Sequence, residues 1–309
     1  MVRAKKDAEK EILMEIVNEI KEKIKLVTVD IGSFNIKTSL GGIYENRFIL
    51  DNEGETYGND VLEYDNNNYI FGQGTFDLTF GKAYKEIEIP LLYALGKDVI
   101  DGDVNLITHL PTSQMENKPQ IVERLLGKTF KYSVNDGKIK EVTFKTVGVL
   151  KEGFSSFYAL AKRNSGMIAI VDIGGRTTDV FCFVDGVLVK EITIPVGTMD
   201  YFIDIAEKLT VETGTKKVLE DIHPLIKHNK LDINKYEDIT NKIYKEMIKY
   251  QKSKIDDLGN YDIHLTGGGA EYFFDNFKDT YRSVAIMPNN LVTNVEGAEN
   301  IGKAKGLDK

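Results

Sequence analysis

The chain has 309 residues, of which 42% are hydrophobic and 28% are charged, and these values indicate a soluble globular protein large enough for two domains. The formal net charge of −8 argues against direct, non-specific binding to nucleic acid, which requires a basic face. No apolar run approaches the ~20 residues of a membrane span, no signal-peptide pattern is present, and the single cysteine, Cys182, suits a reducing compartment, so we expect a cytoplasmic protein that contacts no membrane.

The N-terminal stretch, residues 5–25, is predicted to form one amphipathic helix. Its apolar residues recur every three or four positions, and lysine and glutamate share the other faces. Three roles are open: docking on its own domain, contact with a neighbouring subunit or adaptor protein, and lying on a membrane surface. The acidic residues disfavour the last role, because membrane-surface helices favour a basic polar face.

A first hairpin is predicted at residues 27–37, where an apolar strand ends in Asp30 and a turn begins at Gly32 and Ser33. A glycine at such a turn lets the backbone approach a ligand, and successive N–H groups can then surround an anion. A carboxylate beside that anion is repelled unless a cation lies between them. The pattern therefore predicts a phosphate bound through Mg²⁺, which favours carboxylates, phosphate oxygens and water.

Residues 38–108 are predicted to form short strands separated by Asn- and Gly-containing turns. One helix is expected at residues 89–95, with Pro90 in its first turn. A buried strand is expected from residue 104, ending in the Leu-Pro-Thr-Ser loop at 110–113.

The next stretch contains a false phosphate-binding motif and a hairpin. Gly127, Lys128 and Thr129 resemble the end of a P-loop, but the required earlier glycine is replaced by Val122, so we reject that motif. An Asn-Asp-Gly turn predicts a hairpin over residues 130–144.

An apolar stretch then leads to Glu152, and a helix is predicted from Phe154 to Arg163. A carboxylate beside a helix N-terminus is favoured by the helix dipole alone. The position of Glu152 therefore has a purely structural explanation as well as a functional one.

A second hairpin, over residues 168–181, repeats the first. An apolar strand ends in Asp172, the turn contains two glycines, and two threonines that add hydroxyl donors open the second strand. An ordinary hairpin with a glycine turn is the alternative for either hairpin alone. The recurrence of the pattern, together with the triple-glycine turn near the C-terminus, makes a phosphate site the stronger prediction.

The remainder of the chain is predicted to be mainly helical. Two short strands start near Gly186 and Ile192, a helix follows at 199–209, and charged helices fill 214–258 with an apolar core stripe that ends at Tyr250. The spacing of the histidines indicates neither a metal site nor a catalytic dyad.

Near the C-terminus, an apolar strand at residues 262–266 runs into three consecutive glycines and then a helix-like segment. Residues 297–306 are rich in small residues and predict a helix that crosses another element closely. The small side chains would let the two backbones approach each other.

These motifs, in this order, resemble the actin-like ATPase superfamily, which includes chaperone ATPases and sugar kinases, from about residue 26 onwards. The resemblance implies an α/β, two-domain actin-like (ribonuclease H-like) ATPase fold with ATP or GTP in the interdomain cleft. It makes Asp30 and Asp172 ligands of Mg²⁺ through water. It assigns nucleotide binding to Asp30, Gly32, Ser33, Asn35, Lys37, Gly174, Gly175, Arg176, Thr177, Thr178, Glu207, Gly267, Gly268, Gly269 and Glu271.

The resemblance also makes Glu152 and Asp172 the catalytic residues that position the attacking water. The plasmid-segregation branch usually has a proline before this glutamate, where the present chain has Lys151. Glu207 matches a glutamate that faces the nucleotide ribose, but the match is short. A solvated helix residue is the alternative interpretation of Glu207.

The same resemblance implies the domain boundaries. Domain I would comprise residues 1–153 plus 297–309, with a β-rich insertion at about 43–100. Domain II would comprise residues 154–296, with a helical insertion at about 210–258.

In its size, its Leu-Pro-Thr-Ser loop and Glu152, the chain is most similar to the plasmid-segregation (ParM-like) actins. We therefore expect a filament-forming ATPase that assembles with copies of itself and moves plasmid DNA through an adaptor protein. Two alternatives are a small-molecule kinase of the sugar or acetate type and a monomeric nucleotide-switch regulator.

Overall fold

The computed structural model describes residues 24–51 and 56–309. The helix predicted over residues 5–25 lies outside these ranges except for its last two positions, and Lys25 already belongs to a strand. Within the described ranges, every helix is too short or too polar to cross a bilayer.

In the described residues, nine strands form a first sheet: β1 (Lys25–Ile31), β2 (Asn35–Thr38), β3 (Ile43–Glu45), β4 (Phe48–Leu50), β5 (Val61–Tyr64), β6 (Asn67–Phe71), β7 (Gly102–Leu110), β8 (Thr129–Val134) and β9 (Lys140–Lys151). Their order is β3-β2-β1-β7-β9-β8-β5-β6-β4. β1, β7 and β9 run parallel, and the remaining pairs are antiparallel. The predicted hairpins β1–β2 and β8–β9 are both confirmed.

Five further strands form a second sheet: β10 (Met167–Ile173), β11 (Thr178–Val184), β12 (Val187–Ile194), β13 (Asp262–Thr266) and β14 (Val284–Ile286). Their order is β12-β11-β10-β13-β14. β10 pairs antiparallel with β11 and parallel with β13, as β1 pairs with β2 and β7. The two sheets therefore share a pattern in which the hairpin strand carrying an aspartate lies beside a parallel strand.

Seven α-helices accompany these strands in the described residues: α1 (Glu88–Lys97), α2 (Lys118–Leu125), α3 (Thr198–Thr213), α4 (Leu219–Lys227), α5 (Glu237–Lys254), α6 (Ala270–Thr280) and α7 (Thr293–Ala304). The helices predicted at 89–95, 199–209, 214–258 and 297–306 correspond to α1, α3, α4 with α5, and α7. Gly127 and Lys128 lie between α2 and β8, and Thr129 begins β8, whereas a P-loop joins a strand to a helix, which agrees with our rejection of that motif.

Side-chain alternation explains how the sheets bury their faces. On β1, Val27, Val29 and Ile31 point into the first core, which also contains α1. Thr28 points to the other face, where its hydroxyl donates to the Val295 carbonyl of α7 at 2.9 Å. The strand is covered on both sides, as expected for a parallel strand in an α/β protein.

The strand β10 is apolar from Met167 to Val171 because it also has a core on each face. Ala169 and Val171 contribute to the larger core under α3, α5 and α6, and Ile168 and Ile170 contribute to a smaller aromatic core. A run without alternation is the sequence signature of such a strand.

Three local predictions were wrong. The segment predicted as a helix from Phe154 to Arg163 contains only a 3₁₀ helix, residues 155–159, because α7 packs against its backbone and the chain becomes extended at Leu160 (φ −70°, ψ 133°). The two strands predicted after Gly186 are one strand, β12. Tyr250, placed in the core stripe of α5, is 38% exposed.

The helix α7 crosses the 3₁₀ helix at residues 155–159 with backbone against backbone. A Cβ on Gly297 would collide with the Ser155 carbonyl oxygen, so only glycine fits this crossing. Further along α7, a Cβ on Gly302 would lie 2.6 Å from Leu26 Cδ2 on β1. The crossing joins the segment between the two sheets to the helix that returns to the first sheet.

Candidate active site

The first hairpin holds a buried carboxylate beside a buried ammonium group. Asp30 on β1 and Lys37 on β2 are paired in register, so their side chains leave the same face of the sheet. Lys37 Nζ donates to Asp30 Oδ2 at 3.2 Å. A hydrogen bond of 3.0 Å from the Gly32 N–H to the Asn35 carbonyl closes the turn.

The second hairpin repeats this turn. The Gly174 N–H donates to the Thr177 carbonyl at 2.8 Å. Asp172, the residue before the last in β10, is 7% exposed. Burial raises the pKa of Asp172 to about 6, while Lys37 opposes the rise and Asp30 adds to it.

The two turns face each other across one cleft. A Cβ on Gly175 would lie 3.5 Å from Ser33 Cβ, so the turns almost touch. The cleft encloses a cavity of about 260 Å³. The predicted site residues that line it are Asp30, Gly32, Ser33, Asn35, Lys37, Glu152, Asp172, Gly174, Gly175, Arg176, Thr177, Gly268 and Glu271.

Three predicted ligand residues, Thr178, Gly267 and Gly269, do not line the cavity but pack behind the residues that do. Thr178 is buried, and its hydroxyl donates to the Val196 carbonyl at 2.9 Å. A Cβ on Gly267 or Gly269 would collide with the end of β10 at Ile173. The triple-glycine turn therefore passes directly under the second hairpin, and of its three glycines Gly268 faces the cavity.

Glu207 does not line the cavity either and is exposed on α3. Phe202, five residues earlier on that helix, does line it. Five residues rotate an α-helix by about 500°, which leaves the two side chains about 140° apart. The structure thus favours the alternative interpretation of Glu207 as a solvated helix residue.

A third carboxylate reaches the cavity at the end of β9 and is paired with a lysine that the sequence analysis missed. Glu152 forms a hydrogen-bonded ion pair with Lys82, whose Nζ also lies 3.7 Å from Asp30 Oδ1. Burial raises the pKa of Glu152, and Lys82 opposes that rise. Burial acts in the same direction on Asp30, but Lys37 and Lys82 outweigh it and hold the pKa of Asp30 well below its usual range.

Asn294 on α7, also missed from the sequence, connects Asp172 to the segment between the sheets. Its Nδ2 donates to Asp172 Oδ2 at 2.8 Å. Its Oδ1 accepts from the Gly153 N–H and from the Ser156 hydroxyl, both at 2.9 Å. One amide side chain therefore fixes the orientation of Asp172 and of the backbone next to Glu152.

The cavity has an apolar, aromatic part that complements the charged part. Phe34 lies 6.0 Å from Phe202 and 5.3 Å from His223 between ring centroids, and Phe202 lies 5.4 Å from Tyr272. All four line the cavity together with Leu291. A ligand with an anionic end and a flat ring system suits this arrangement, since aromatic faces stack well on such rings.

The charged part of the cavity fits a divalent cation. Asp30 Oδ1 is buried and has no hydrogen-bond partner, although buried carboxylate oxygens normally have one. Among the described residues, no group of three or more His, Cys, Asp or Glu side chains is arranged to hold a metal ion. A cation here would take most of its ligands from water and phosphate oxygens, as Mg²⁺ does.

No protein-family model and no curated protein sequence matches this chain. Solved structures match over most of its length. The archaeal actin homologue Ta0583 in complex with ADP has a TM-score of 0.76 and 18% identity, covering 91% of this chain and 100% of its own.

Two filament structures are similar as well. A 15-stranded ParM filament from Clostridium botulinum has a TM-score of 0.75 and 16% identity, covering 91% of this chain and 99% of its own. An AlfA filament bound to AMPPNP has a TM-score of 0.63 and 19% identity, covering 93% of this chain and 100% of its own. The chain therefore has the actin-like two-domain α/β fold.

Proposed function

We propose that this chain, which has the actin-like fold, is a filament-forming ATPase that binds ATP or GTP with Mg²⁺ between its two halves. The observation that carries the proposal is the pair of Asp-Ile-Gly hairpins that face one cavity. Asp30 and Lys37 lie on one side of the cavity and Asp172 lies on the other. The ADP complex and the AMPPNP-bound filament among the similar structures support the choice of nucleotide and of assembly.

In this proposal the two glycine turns, at residues 32–33 and 174–175, donate backbone N–H groups to phosphate oxygens. Lys37 neutralises charge on the terminal phosphates. Asp30 and Asp172 hold Mg²⁺ through water, and the bound ion would neutralise further charge on the phosphates. The aromatic part of the cavity, with Glu271 at its edge, receives the base and ribose.

Glu152 and Asp172 are the groups proposed to position the attacking water and to accept its proton. Both are buried carboxylates with a raised pKa, which brings their basicity closer to that of a general base at neutral pH. Phosphoryl transfer needs little covalent chemistry from the protein, so positioning and charge stabilisation account for most of the catalysis.

We place domain I at residues 1–153 plus 297–309 and domain II at residues 154–296. Each domain then contains one sheet, and the crossing of α7 with residues 155–159 becomes the hinge. Because each domain contributes one hairpin to the same phosphates, hydrolysis removes a connection across that hinge and changes the shape of the subunit.

We further propose that the filament moves plasmid DNA in the cytoplasm through an adaptor protein. The net charge of −8 supports this division, because direct DNA binding relies on lysine and arginine contacts to phosphates. The ParM filament among the similar structures supports the comparison with plasmid actins.

The first experiment is right-angle light scattering followed by pelleting, with Mg²⁺ and ATP, GTP, ADP or a non-hydrolysable triphosphate. We expect scattering to rise with triphosphate and the rise to be lost in Asp172→Asn. Asp136→Asn is the matched control, since Asp136 is exposed in the β8–β9 turn at φ +51°, where asparagine is well tolerated.

Absence of assembly with every nucleotide, at concentrations at which the protein binds them, would overturn the filament proposal. Transfer of phosphate to a sugar or carboxylate would then favour the kinase alternative. Binding without assembly or transfer would favour the nucleotide switch, whose partner a pull-down should recover.

A further inference from the structure

The segment between β6 and α1, residues 73–87, forms a strap over the cleft. Phe76 is 4% exposed and lies in the core of the second sheet, and its N–H donates to Glu220 Oε1 on α4 at 2.8 Å. Phe80 lies under the guanidinium of Arg176, 4.3 Å from its carbon to the ring centroid. Ala83 returns to the core of the first sheet. The strap thus leaves the first sheet, packs on the second half of the molecule and comes back.

Lys82 lies on the returning part of the strap and points into the site. Its side chain is only 13% exposed, and its two acidic neighbours are Glu152 and Asp30. These are the carboxylates proposed to position water and to hold Mg²⁺. The ammonium group therefore lies beside the place where the terminal phosphate of a bound nucleotide would be.

The charges in the cavity explain why a phosphate would attract this lysine. Four carboxylates line the cavity, Asp30, Glu152, Asp172 and Glu271, with four cations, Lys37, Lys82, Lys85 and Arg176. Lys85 and Arg176 pair with acidic residues that do not line the cavity, Asp77 and Asp200. A phosphate beside Asp30 and Glu152 is therefore repelled unless Lys82, the cation next to both carboxylates, turns towards it.

Lys82 also has room to move. It also lines a second cavity of about 460 Å³, together with Phe48 and Pro90. Its ammonium can therefore change partner without displacing a packed core.

We propose that Lys82, carried by the strap, binds phosphate in addition to Lys37 and Mg²⁺. When a triphosphate binds, Lys82 exchanges its partner Glu152 for the terminal phosphate. In the phosphate-free site Lys82 neutralises Glu152. With a triphosphate bound, Lys82 contacts the terminal phosphate and releases the Glu152 carboxylate to accept a hydrogen bond from the attacking water. This inference rests on the proposed nucleotide site and names a specificity residue for triphosphate over diphosphate.

A purely structural role for Lys82 makes a different prediction. If Lys82 only neutralises a buried carboxylate, removing both members of the pair is close to neutral, whereas removing the lysine alone leaves a buried charge unpaired. The test is therefore done in a Glu152→Gln background, where the hydrogen-bonded ion pair between Lys82 and Glu152 is absent.

The experiment is calorimetric binding of a non-hydrolysable triphosphate and of ADP, each with Mg²⁺, to Glu152→Gln and to Lys82→Met/Glu152→Gln. We expect the added Lys82→Met to weaken triphosphate binding about 10- to 100-fold, the loss of one charged hydrogen bond, and to change ADP binding less than about threefold. Lys85→Met in the same background is the control, because Lys85 lies on the strap and lines the same cavity but pairs with Asp77 at 3.0 Å.

Each outcome decides one question. Equal changes for the two nucleotides, no change for either, or the same triphosphate-selective loss with Lys85→Met, would overturn the role of Lys82 and leave the nucleotide site intact. Failure of the wild-type chain to bind either nucleotide would overturn the proposed function itself. Selective loss of triphosphate binding with Lys82→Met, and not with Lys85→Met, in the Glu152→Gln background would establish the contact between Lys82 and the terminal phosphate.

Discussion

The replacement of Asn294 by alanine tests whether α7 holds the Asp172 carboxylate in place. The Asn294 side chain is 6% exposed and makes three hydrogen bonds, to Asp172, Gly153 and Ser156. Its loss leaves a buried carboxylate oxygen and a buried backbone N–H without a partner, whereas the Ser156 hydroxyl keeps Thr293. One bond to a charged group and one unsatisfied N–H together predict a loss of about 3–5 kcal/mol in unfolding free energy.

Urea denaturation without nucleotide measures this loss. Far-UV circular dichroism is the suitable signal, because the chain has no tryptophan. Asn300→Ala on the same helix is the matched control: Asn300 is exposed and makes a single hydrogen bond of 3.1 Å to the Tyr158 carbonyl. We expect that control to lose less than about 1 kcal/mol.

A second variant, Asn294→Asp, separates the contacts. It keeps an acceptor for Gly153 and Ser156 but places a second carboxylate against Asp172, so it should be destabilised most above pH 6. If Asn294→Ala is as stable as Asn300→Ala, the network does not hold Asp172 and the reasoning is wrong. A pH-independent loss in Asn294→Asp would likewise contradict the proposed repulsion.

Two further predictions concern the strap and the buried carboxylate. Phe76→Ala should release the strap from the core of the second sheet and accelerate tryptic cleavage at Lys82 and Lys85. Tyr84→Ala is the control, because Tyr84 is an exposed residue of the strap. Unchanged cleavage in Phe76→Ala would show that Phe76 does not anchor the strap. Burial raises the pKa of Asp172 to about 6 from 3.8, so the stability contributed by its protonated form is fully present below pH 3.8 and is lost as the pH rises through 6. Without Mg²⁺ or nucleotide, the unfolding free energy of Asp172→Asn should therefore increase relative to that of the wild type by up to about 3 kcal/mol between pH 4 and 7. Denaturation midpoints at four pH values check this, and a constant difference between the two proteins would contradict it.

The sequence was most informative where the chemistry is local. Both hairpins have their strand, aspartate, glycine and second strand within about 15 consecutive residues, so a single local pattern predicts the geometry of each hairpin. The structure brings these two patterns, 142 positions apart from Asp30 to Asp172, to one cavity, as the resemblance to the actin-like ATPases implied.

Residues whose role depends on distant partners were missed. Lys82 lies in a connection without a motif, 70 positions from Glu152, and Asn294 is 122 positions from Asp172. Glu207 was placed at the site from a few matching letters, and helical rotation directs it to solvent. The helix predicted at 154–163 failed for a related reason, since its length is limited by the start of β10 and its path by α7.

The way α7 closes over β1 also has a consequence for how the chain acquires its structure during synthesis. Thr28 and its acceptor, the Val295 carbonyl, are separated by 267 positions, and Asn105 Nδ2 donates to the Leu307 carbonyl at 2.8 Å across 202 positions. Until residues 293–304 leave the ribosome, the face of β1 and β7 that α7 contacts lacks this helix, although both strands have long been translated. Contacts of such separation form slowly and leave apolar strand surface open to aggregation. We therefore expect the nascent first sheet to benefit from chaperones or from rapid completion of translation.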